Sequence, residues 1–407
     1  MFEDLHMNFN ADPAVIDAFA ENHRCGSILQ ESAWASVKNN WKHYFVTMDR
    51  KGEVIASAVI LSRSAAAGFG MFYIPRGPVM DYHDSEAVWY FFQELKKFAK
   101  KKRAIMIKFD PLVPYSSVYN DQIEYEGRNT DVIALMKSMG CVYHGLTMGF
   151  DETAQPRTQA VIDLSENVKI NKKLKYYLSH AEKRGVKVRR MQAEGTELLS
   201  RMLSKTAARK NISLRNKEYF DNLMAVYGDH ANISVAYIDI RETETHEKQR
   251  KAQLEKSLEN PQYKDAKKAE IREQISSIDN ELQLLEGLAE KYGDTAVISA
   301  ALIVRSEKYS ELFYAGMDEE LNTYRSNSSF NDAIQWAKEN GCRYCDMGGV
   351  EGTLDDSLTA YKKIYNPHFE SYIGEFDLPV YGMLYKAADA LLPAVRKINV
   401  ARALKKQ

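Results

Sequence analysis

Apolar positions along this chain fall into two near-copies of one pattern. The stretch GEVIASAVILSRS (Gly52 to Ser64) is a β-rich apolar run; FYIPRGPV, a helix-patterned segment from about Ser85 to Lys101 and the strand-like AIMIKFDP follow it. The same order returns in DTAVISAALIVRS (Asp294 to Ser306), ELFYAGM, a helical segment from about Ser326 to Asn340 and CRYCDMGG. Two strand, strand, helix, strand units at matching spacing point to a duplication.

Between the strand VAYIDI (Val235 to Ile240) and its continuation at Thr295 the pattern changes. From Arg241 to Tyr292 there are 10 Lys/Arg and 12 Asp/Glu and no β-rich run. Ile271, Ile275, Ile278, Leu282, Leu285 and Ala289 recur at alternating spacings of 4 and 3, a coiled-coil seam, and Leu254 and Leu258 supply a shorter matching face. Asn260-Pro261 breaks the helix between them, because proline lacks the amide donor and restricts φ. An antiparallel helical hairpin over residues 241–292 is expected. Its mixed charge fits a solvated spacer or a dimer contact, and its shape also fits an arm that embraces an extended partner such as tRNA.

Each repeated unit has the order of the acetyltransferase-like (GNAT) sandwich, a mixed sheet with helices on its faces. The predicted fold class is therefore α/β, with two such domains. The first covers residues 1–158 and is completed by a C-terminal segment of about 375–407. The second covers 159–374 and carries the hairpin.

A chain of 407 residues, 45% hydrophobic and 27% charged, has enough apolar material for two cores. Lys plus Arg number 55 against 56 Asp plus Glu, so any nucleic acid or anionic membrane must be met by a local patch. The N-terminus MFEDLHMNFNADP has no signal-peptide core, and about 18 consecutive apolar residues occur nowhere, so a cytoplasmic protein is expected. Four scattered cysteines suit a reducing compartment. Cys342 and Cys345 form one CxxC without a second pair, which reads as buried thiols on a strand, and no metal site is expected.

Two basic patches stand out. KINKKLKYYLSHAEKRGVKVRR (Lys169 to Arg190) holds nine Lys/Arg against Glu182, with Tyr176 and Tyr177 among them. Lys172, Lys173, Lys175, Lys183 and Arg184 are its candidate contacts for tRNA phosphates, against the plainer reading of a solvated basic helix. The segment from Val380 to Gln407 sets Leu384, Ala388, Leu391, Val395 and Ile398 on one face with six Lys/Arg against Asp389. It suits packing on its own domain or peripheral contact with anionic lipid at the inner membrane surface.

No GxxxxGK[ST], HExxH or GxSxG occurs, so the sequence gives no direct support for ATP hydrolysis, zinc proteolysis or a serine elbow; an enzyme here would use a pre-activated donor. Asp110 and Pro111 end an apolar strand in IMIKFDP, where a carboxylate can face a cleft. DMGGVEGTLDDSLTAYKKIY joins a glycine-rich loop to a helix with Asp355 or Asp356 at its start and Lys362 about two turns in.

QESAWASVKNNW, RGPVMD, KFDP, the RGVKV segment, RNKEYF, FYAGM, DMGGVEG and DDSLTAYKKIY occur in the order seen in the FemABX family, which this chain resembles over nearly its whole length. The family's members are non-ribosomal peptidyltransferases that move an amino acid from aminoacyl-tRNA to the stem peptide of a peptidoglycan precursor. The resemblance implies two acetyltransferase-like domains, aminoacyl-tRNA as co-substrate and no cofactor. It matches Lys38, Arg215 and Tyr219 to residues holding the UDP and phosphates of the muramyl-pentapeptide, and Asp110, Tyr314 and Lys362 to residues at or near the reacting centre.

On that basis Asp110 is expected to orient the acceptor lysine amine or take its proton, and Lys362 to stand near the tetrahedral intermediate. A carboxylate with a pKa near 4 is a poor base toward an ammonium near 10 unless burial raises it. The hairpin resembles family types that use the lipid-linked precursor, lipid II, whereas Lys38, Arg215 and Tyr219 resemble the type that uses the UDP-linked one; the hairpin and tail favour lipid II. Two other readings stay open: an acyl-CoA N-acyltransferase, which predicts a Q/RxxGxG/A loop, and a non-catalytic RNA-binding or scaffold protein.

Overall fold

The computed structural model describes residues 4–64, 68–150, 152–165, 171–210, 215–325 and 327–390. Lys169, at the start of the basic patch, and Leu391, Val395 and Ile398 of the C-terminal tail lie outside the described residues.

Both apolar runs become long strands, Glu53–Ser64 and Thr295–Arg305. They read as continuous rather than alternating because both faces are covered. In the first, Ala56, Ala58 and Ile60 enter one core while Val59 and Leu61 enter another; in the second, Ala301 and Ile303 face away from Ala300, Leu302 and Val304. The helices Ser85–Lys101 and Asn327–Glu339 carry each unit across to a parallel strand, as the periodicity predicts.

Two mixed sheets result. The first runs in the order Leu5–Asn8, Lys42–Arg50, Glu53–Ser64, Gly70–Ile74, Ala104–Phe109, Phe376–Pro379, Val142–Tyr143, with Val79–Met80 beside Glu53–Ser64. The second runs Val186–Met191, Ala231–Asp239, Thr295–Arg305, Tyr309–Met317, Tyr344–Val350, Thr158–Asp163, His368–Tyr372, Pro114–Tyr119, Gln122–Tyr125. Among the described residues each sheet has one parallel pair, Gly70–Ile74 with Ala104–Phe109 and Tyr309–Met317 with Tyr344–Val350. In each, a strand from outside the repeated unit closes the far side of that pair. Thr158–Asp163, which follows the first unit, lies against Tyr344–Val350, and Phe376–Pro379, which follows the second, lies against Ala104–Phe109.

The halves are therefore interlocked. Pro114–Tyr119 and Gln122–Tyr125, which precede residue 158, extend the second sheet through His368–Tyr372. One apolar core joins Ile16, Trp34, Val37, Val59 and Leu61 of the first half to Leu199, Met202, Phe220, Leu223 and Leu302 of the second.

The hairpin consists of the helices Ile240–Leu258 and Asp265–Tyr292, with the turn at Asn260-Pro261 where proline predicts it. Its buried line is Ile271, Ile278 and Leu285, a spacing of seven, and Leu288 rather than Ala289 continues it. Lys251 ties the two helices by an ion pair to Asp279 (2.6 Å). At the root, Arg184 pairs with Glu281 (2.5 Å) and its guanidinium lies over the Tyr324 ring.

The closing strand of the first sheet brings two buried acids, Glu375 and Asp377, against the Lys108 ammonium. Asp377 also meets His144 at 2.9 Å, and Glu375 accepts the Ala154 amide at 2.7 Å. Lys108 is the neutralising charge for both acids, so Lys108→Met should destabilise the fold by about 3–5 kcal/mol, the usual cost of breaking a buried ion pair. Urea unfolding checks this; a loss below about 1 kcal/mol would contradict it.

Candidate active site

The crossing from the first sheet to the second begins at Asp110, directly after the strand Ala104–Phe109. Its carboxylate is only 4% exposed. Oδ1 accepts the Arg76 amide at 3.1 Å and Oδ2 the Arg76 guanidinium at 3.3 Å. Burial pushes the Asp110 carboxyl up to about 7, although Arg76 opposes the shift. A carboxylate at such a strand end can face a cleft; here both of its oxygens engage Arg76, where the chain crosses between the halves.

Arg76, inside RGPVMD, is equally buried and holds a positive φ of 55° that side chains with a Cβ seldom adopt. Gln30, fully buried, fixes the approach to it by donating to the Pro75 carbonyl (2.6 Å) and bridging both backbone groups of Val59. The guanidinium also donates to the Pro156 carbonyl (2.9 Å) and lies 5.9 Å from the Tyr372 ring centre.

Lys362 is buried, against the general habit of lysines. Asp356 caps the short helix Ser357–Lys363 by accepting the amides of Leu358 and Thr359, and this directs Lys362 back to the Gly349 carbonyl at 2.8 Å. The parallel strands Tyr309–Met317 and Tyr344–Val350 pair only from Tyr309↔Tyr344 to Glu311↔Asp346. Just beyond that pairing lies the Lys362 ammonium, 3.5 Å from where a Gly348 Cβ would stand. Gly348 has a φ of 83°, so the loop requires glycine there.

Two cavities lie along the strand Tyr309–Met317. One, of about 400 Å³, is lined by its first residues, Tyr309 to Glu311, together with Tyr125, Asp346, Glu370 and Tyr372. The other, of about 300 Å³, is lined by its last residues, Ala315 to Met317, with Thr206, Ser299, Ser329, Phe330 and Tyr361. Gly316 lets the helix Thr196–Lys210 lie against this strand, because a Cβ there would come within 2.6 Å of the Met202 backbone.

Lys38, Arg215, Tyr219 and Tyr314, far apart in sequence, come together. The Lys38 ammonium sits 4.2 Å from the Trp34 ring centre and 3.4 Å from the Tyr219 hydroxyl. The Arg215 guanidinium lies 5.2 Å from the Tyr219 ring, and Tyr314 packs edge-on against Tyr219 and Phe220. Burial and then Arg215 pull the Lys38 ammonium down to about 8, and among the described residues no carboxylate pairs with it. A desolvated cation beside a second cation has the chemistry to attract an anion.

The basic patch divides in two. Lys172, Lys173, Lys175 and Lys183 are exposed on the helix Lys172–Lys183 beside the exposed Tyr176, whereas Arg184 is engaged with Glu281, Lys187 with Glu242 and Arg190 with Asp332 and Glu339. Cys342 and Cys345 are free, buried thiols. Two described clusters have metal-ligand types in reach: the Lys108 ammonium already pairs with both acids of His144, Glu375 and Asp377, while hydrogen bonds from Ser117 and Tyr125 engage Glu124 and Glu370, and His368 meets Glu124 at 2.8 Å.

Sequence reasoning missed Arg76, Glu311 and Asp346. All three stand inside segments it quoted, RGPVMD, ELFYAGM and DMGGVEG, but pairing Glu311 with Asp346 takes a strand register across 35 residues.

Comparison with known proteins gives a consistent picture. A family model described as the FemAB family matches residues 13–392. Aminoacyltransferase FemA of Staphylococcus aureus, from strains bovine RF122 / ET3-1 and N315, is 27% identical over 376 residues, covering 86% of this chain and 89% of the relative. The crystal structure of FemX superposes with a TM-score of 0.75 at 23% identity, covering 94% of this chain and 99% of that one.

Because Arg76 and Asp110 are mutually paired in the interior, Asp110→Ala and Arg76→Ala should each destabilise the protein by about 3–5 kcal/mol, and the double variant by clearly less than the sum. Denaturant titration of the three variants tests this. Full additivity would show that the pair is not coupled.

Proposed function

The chain belongs to the FemAB family, and from that premise we propose that it is a peptidoglycan aminoacyltransferase that moves an amino acid from aminoacyl-tRNA to the lysine side-chain amine of a precursor's stem peptide. The single observation that carries the reading is the cluster at Lys38. Its ammonium, held between Trp34 and Tyr219 next to Arg215, suits the pyrophosphate that every such precursor carries.

In this reading the acceptor's pyrophosphate binds at Lys38, Arg215 and Tyr219, with Tyr314 packed behind Tyr219. Its stem peptide runs toward the junction of the halves. Lys362 is the cation at the tetrahedral intermediate, suited by its burial and by the opening of the strand pair beside it. Asp110 acts as a positioning residue, since its oxygens hold Arg76. The exposed Lys172, Lys173, Lys175 and Lys183 with Tyr176 suit RNA phosphates and a stacked base. Arg184 contributes by holding the hairpin root.

Lipid II is the favoured acceptor, on account of the hairpin and the basic C-terminal segment, and implies work at the inner membrane surface. Among the described residues no helix is long and apolar enough to cross a membrane, which fits a peripheral approach.

The decisive assay incubates the protein with charged tRNAs and precursor and reads the mass added to the stem peptide. One amino-acid residue mass is expected, and no addition with any tRNA overturns the reading. Lipid-linked acceptor should be preferred over UDP-linked; the reverse preference removes that part. Lys362→Ala should lower turnover at least tenfold with an unchanged unfolding midpoint.

A pH dependence follows from Lys38. The anion binds its protonated form, so acceptor affinity should be full below pH 8 and fall as pH rises through about 8. Lys38→Gln should flatten that fall and weaken binding about tenfold, the worth of one charged hydrogen bond. Calorimetric titration between pH 6.5 and 9.5 checks it.

A further inference from the structure

Among the described residues that line the cavity of about 400 Å³, the acids Glu311, Asp346 and Glu370 outnumber the cations, and the one cation, Arg24, pairs with Asp81 at 3.3 Å. Glu311 and Asp346 are partners across a parallel strand pair, so their side chains stand next to each other on the face that lines it. Among the described residues no hydrogen bond or ion pair reaches the Glu311 carboxylate, and Asp346 accepts only the Gly348 amide (2.7 Å). Gln159, 4% exposed, carries a buried Oε1 without a partner. In strand register it stands opposite Glu370 and two residues from Val161, both of which line the cavity, so it shares their face. Tyr125, Tyr309, Tyr344 and Tyr372 supply apolar walls. Unmet acceptors on two carboxylates and an amide, inside aromatic walls, match one kind of group: a primary ammonium, with three N–H donors and no acceptor, on an aliphatic stem.

We propose that Glu311 and Asp346 seat the primary ammonium of the acceptor and take its proton as the amine attacks the ester. This rests on the aminoacyl-transfer reading and adds to it the seat of the acceptor amine and the base. The amine lone pair forms the C–N bond, and the ester C–O bond to the ribose breaks. One ammonium proton goes to the carboxylate pair and a second leaves on the ribose oxygen, so the products are an amide, a free hydroxyl and one carboxylic acid.

The pair suits this role better than a lone carboxylate. Adjacent carboxylates cannot both ionise freely, and burial followed by the Asp346 charge raises Glu311 to about 8. A base of that strength can take a proton from an ammonium that an ordinary carboxylate cannot. Arg76 opposes the shift in both acids and Lys362 opposes it in Asp346, so the pair becomes fully available to accept a proton as pH rises toward 8.

The test compares the wild type with Glu311→Gln, Asp346→Asn and the double variant, all checked for unchanged thermal unfolding. Precursor pentapeptide with free lysine should bind the wild type at least tenfold tighter than its Nε-acetyl form, and the double variant should bind both alike. In transfer assays each single variant should lose about a hundredfold or more in kcat and the limb of the pH profile that rises toward 8. An unchanged binding ratio in the double variant, or single variants with wild-type kcat and pH profile, overturns the proposal. If the wild type transfers nothing, the transfer reading fails on its own, and the binding ratio still decides whether the ammonium seat exists.

Discussion

The ion pair of Arg76 and Asp110 is the constraint around which the centre of this molecule is arranged. Neither partner is accessible to water, so each charge depends on the other. Asp110 stands where the chain leaves the first sheet for the second, and Arg76 follows the strand Gly70–Ile74, beside which Ala104–Phe109 runs in parallel. The guanidinium then reaches Pro156, just ahead of the strand Thr158–Asp163 that closes the second sheet. One residue thus ties the last strand pair of the first half to the entry of the second. Its positive φ is a local cost that Gln30 and the shared apolar core hold in place.

That arrangement explains why the two halves are not independent units. Each sheet lacks a strand at the outer side of its parallel pair and receives it from a segment beyond its own repeat. Cutting the chain at residue 158 would leave Ala104–Phe109 unpaired on one side and Lys108 without its acids. Duplication accounts for the repeated units, and the exchange of closing strands accounts for their fixed placement. The sites on the facing surfaces then inherit a fixed geometry from the fold.

Much of this was legible in sequence because it depends on local pattern. The repeated units, the helices Ser85–Lys101 and Asn327–Glu339, the hairpin and its Asn260-Pro261 turn all follow from periodicity and proline chemistry. Lys38, Arg215, Tyr219 and Tyr314 were named through a family pattern, and the fold brings them into one cluster. The strand exchange was half legible: a C-terminal completion of the first domain was expected, but nothing local shows that Pro114–Tyr125 joins the other sheet. The state of Asp110 was not legible either. A strand-ending Asp-Pro looks the same whether its carboxylate meets water or a buried arginine 34 residues away.

The hairpin bears on how the basic patch should be read. Counted along the sequence, the patch is one dense run of cations, but in space its members divide by partner. Arg184, Lys187 and Arg190 meet Glu281, Glu242, Asp332 and Glu339, acids that lie on the hairpin or on the helix Asn327–Glu339. These cations fasten the hairpin and its neighbouring strand, so their charge is largely neutralised before any polyanion arrives. Among the described residues, the exposed lysines of the helix Lys172–Lys183, with Arg189 over the Tyr237 ring, are what is left for a phosphate backbone. Four such lysines give a modest, salt-sensitive attraction, enough to orient an RNA but not to hold it tightly. In the proposed transfer, such weak holding would suit a donor that leaves after each cycle, with selectivity set in the interior cavities rather than at the surface.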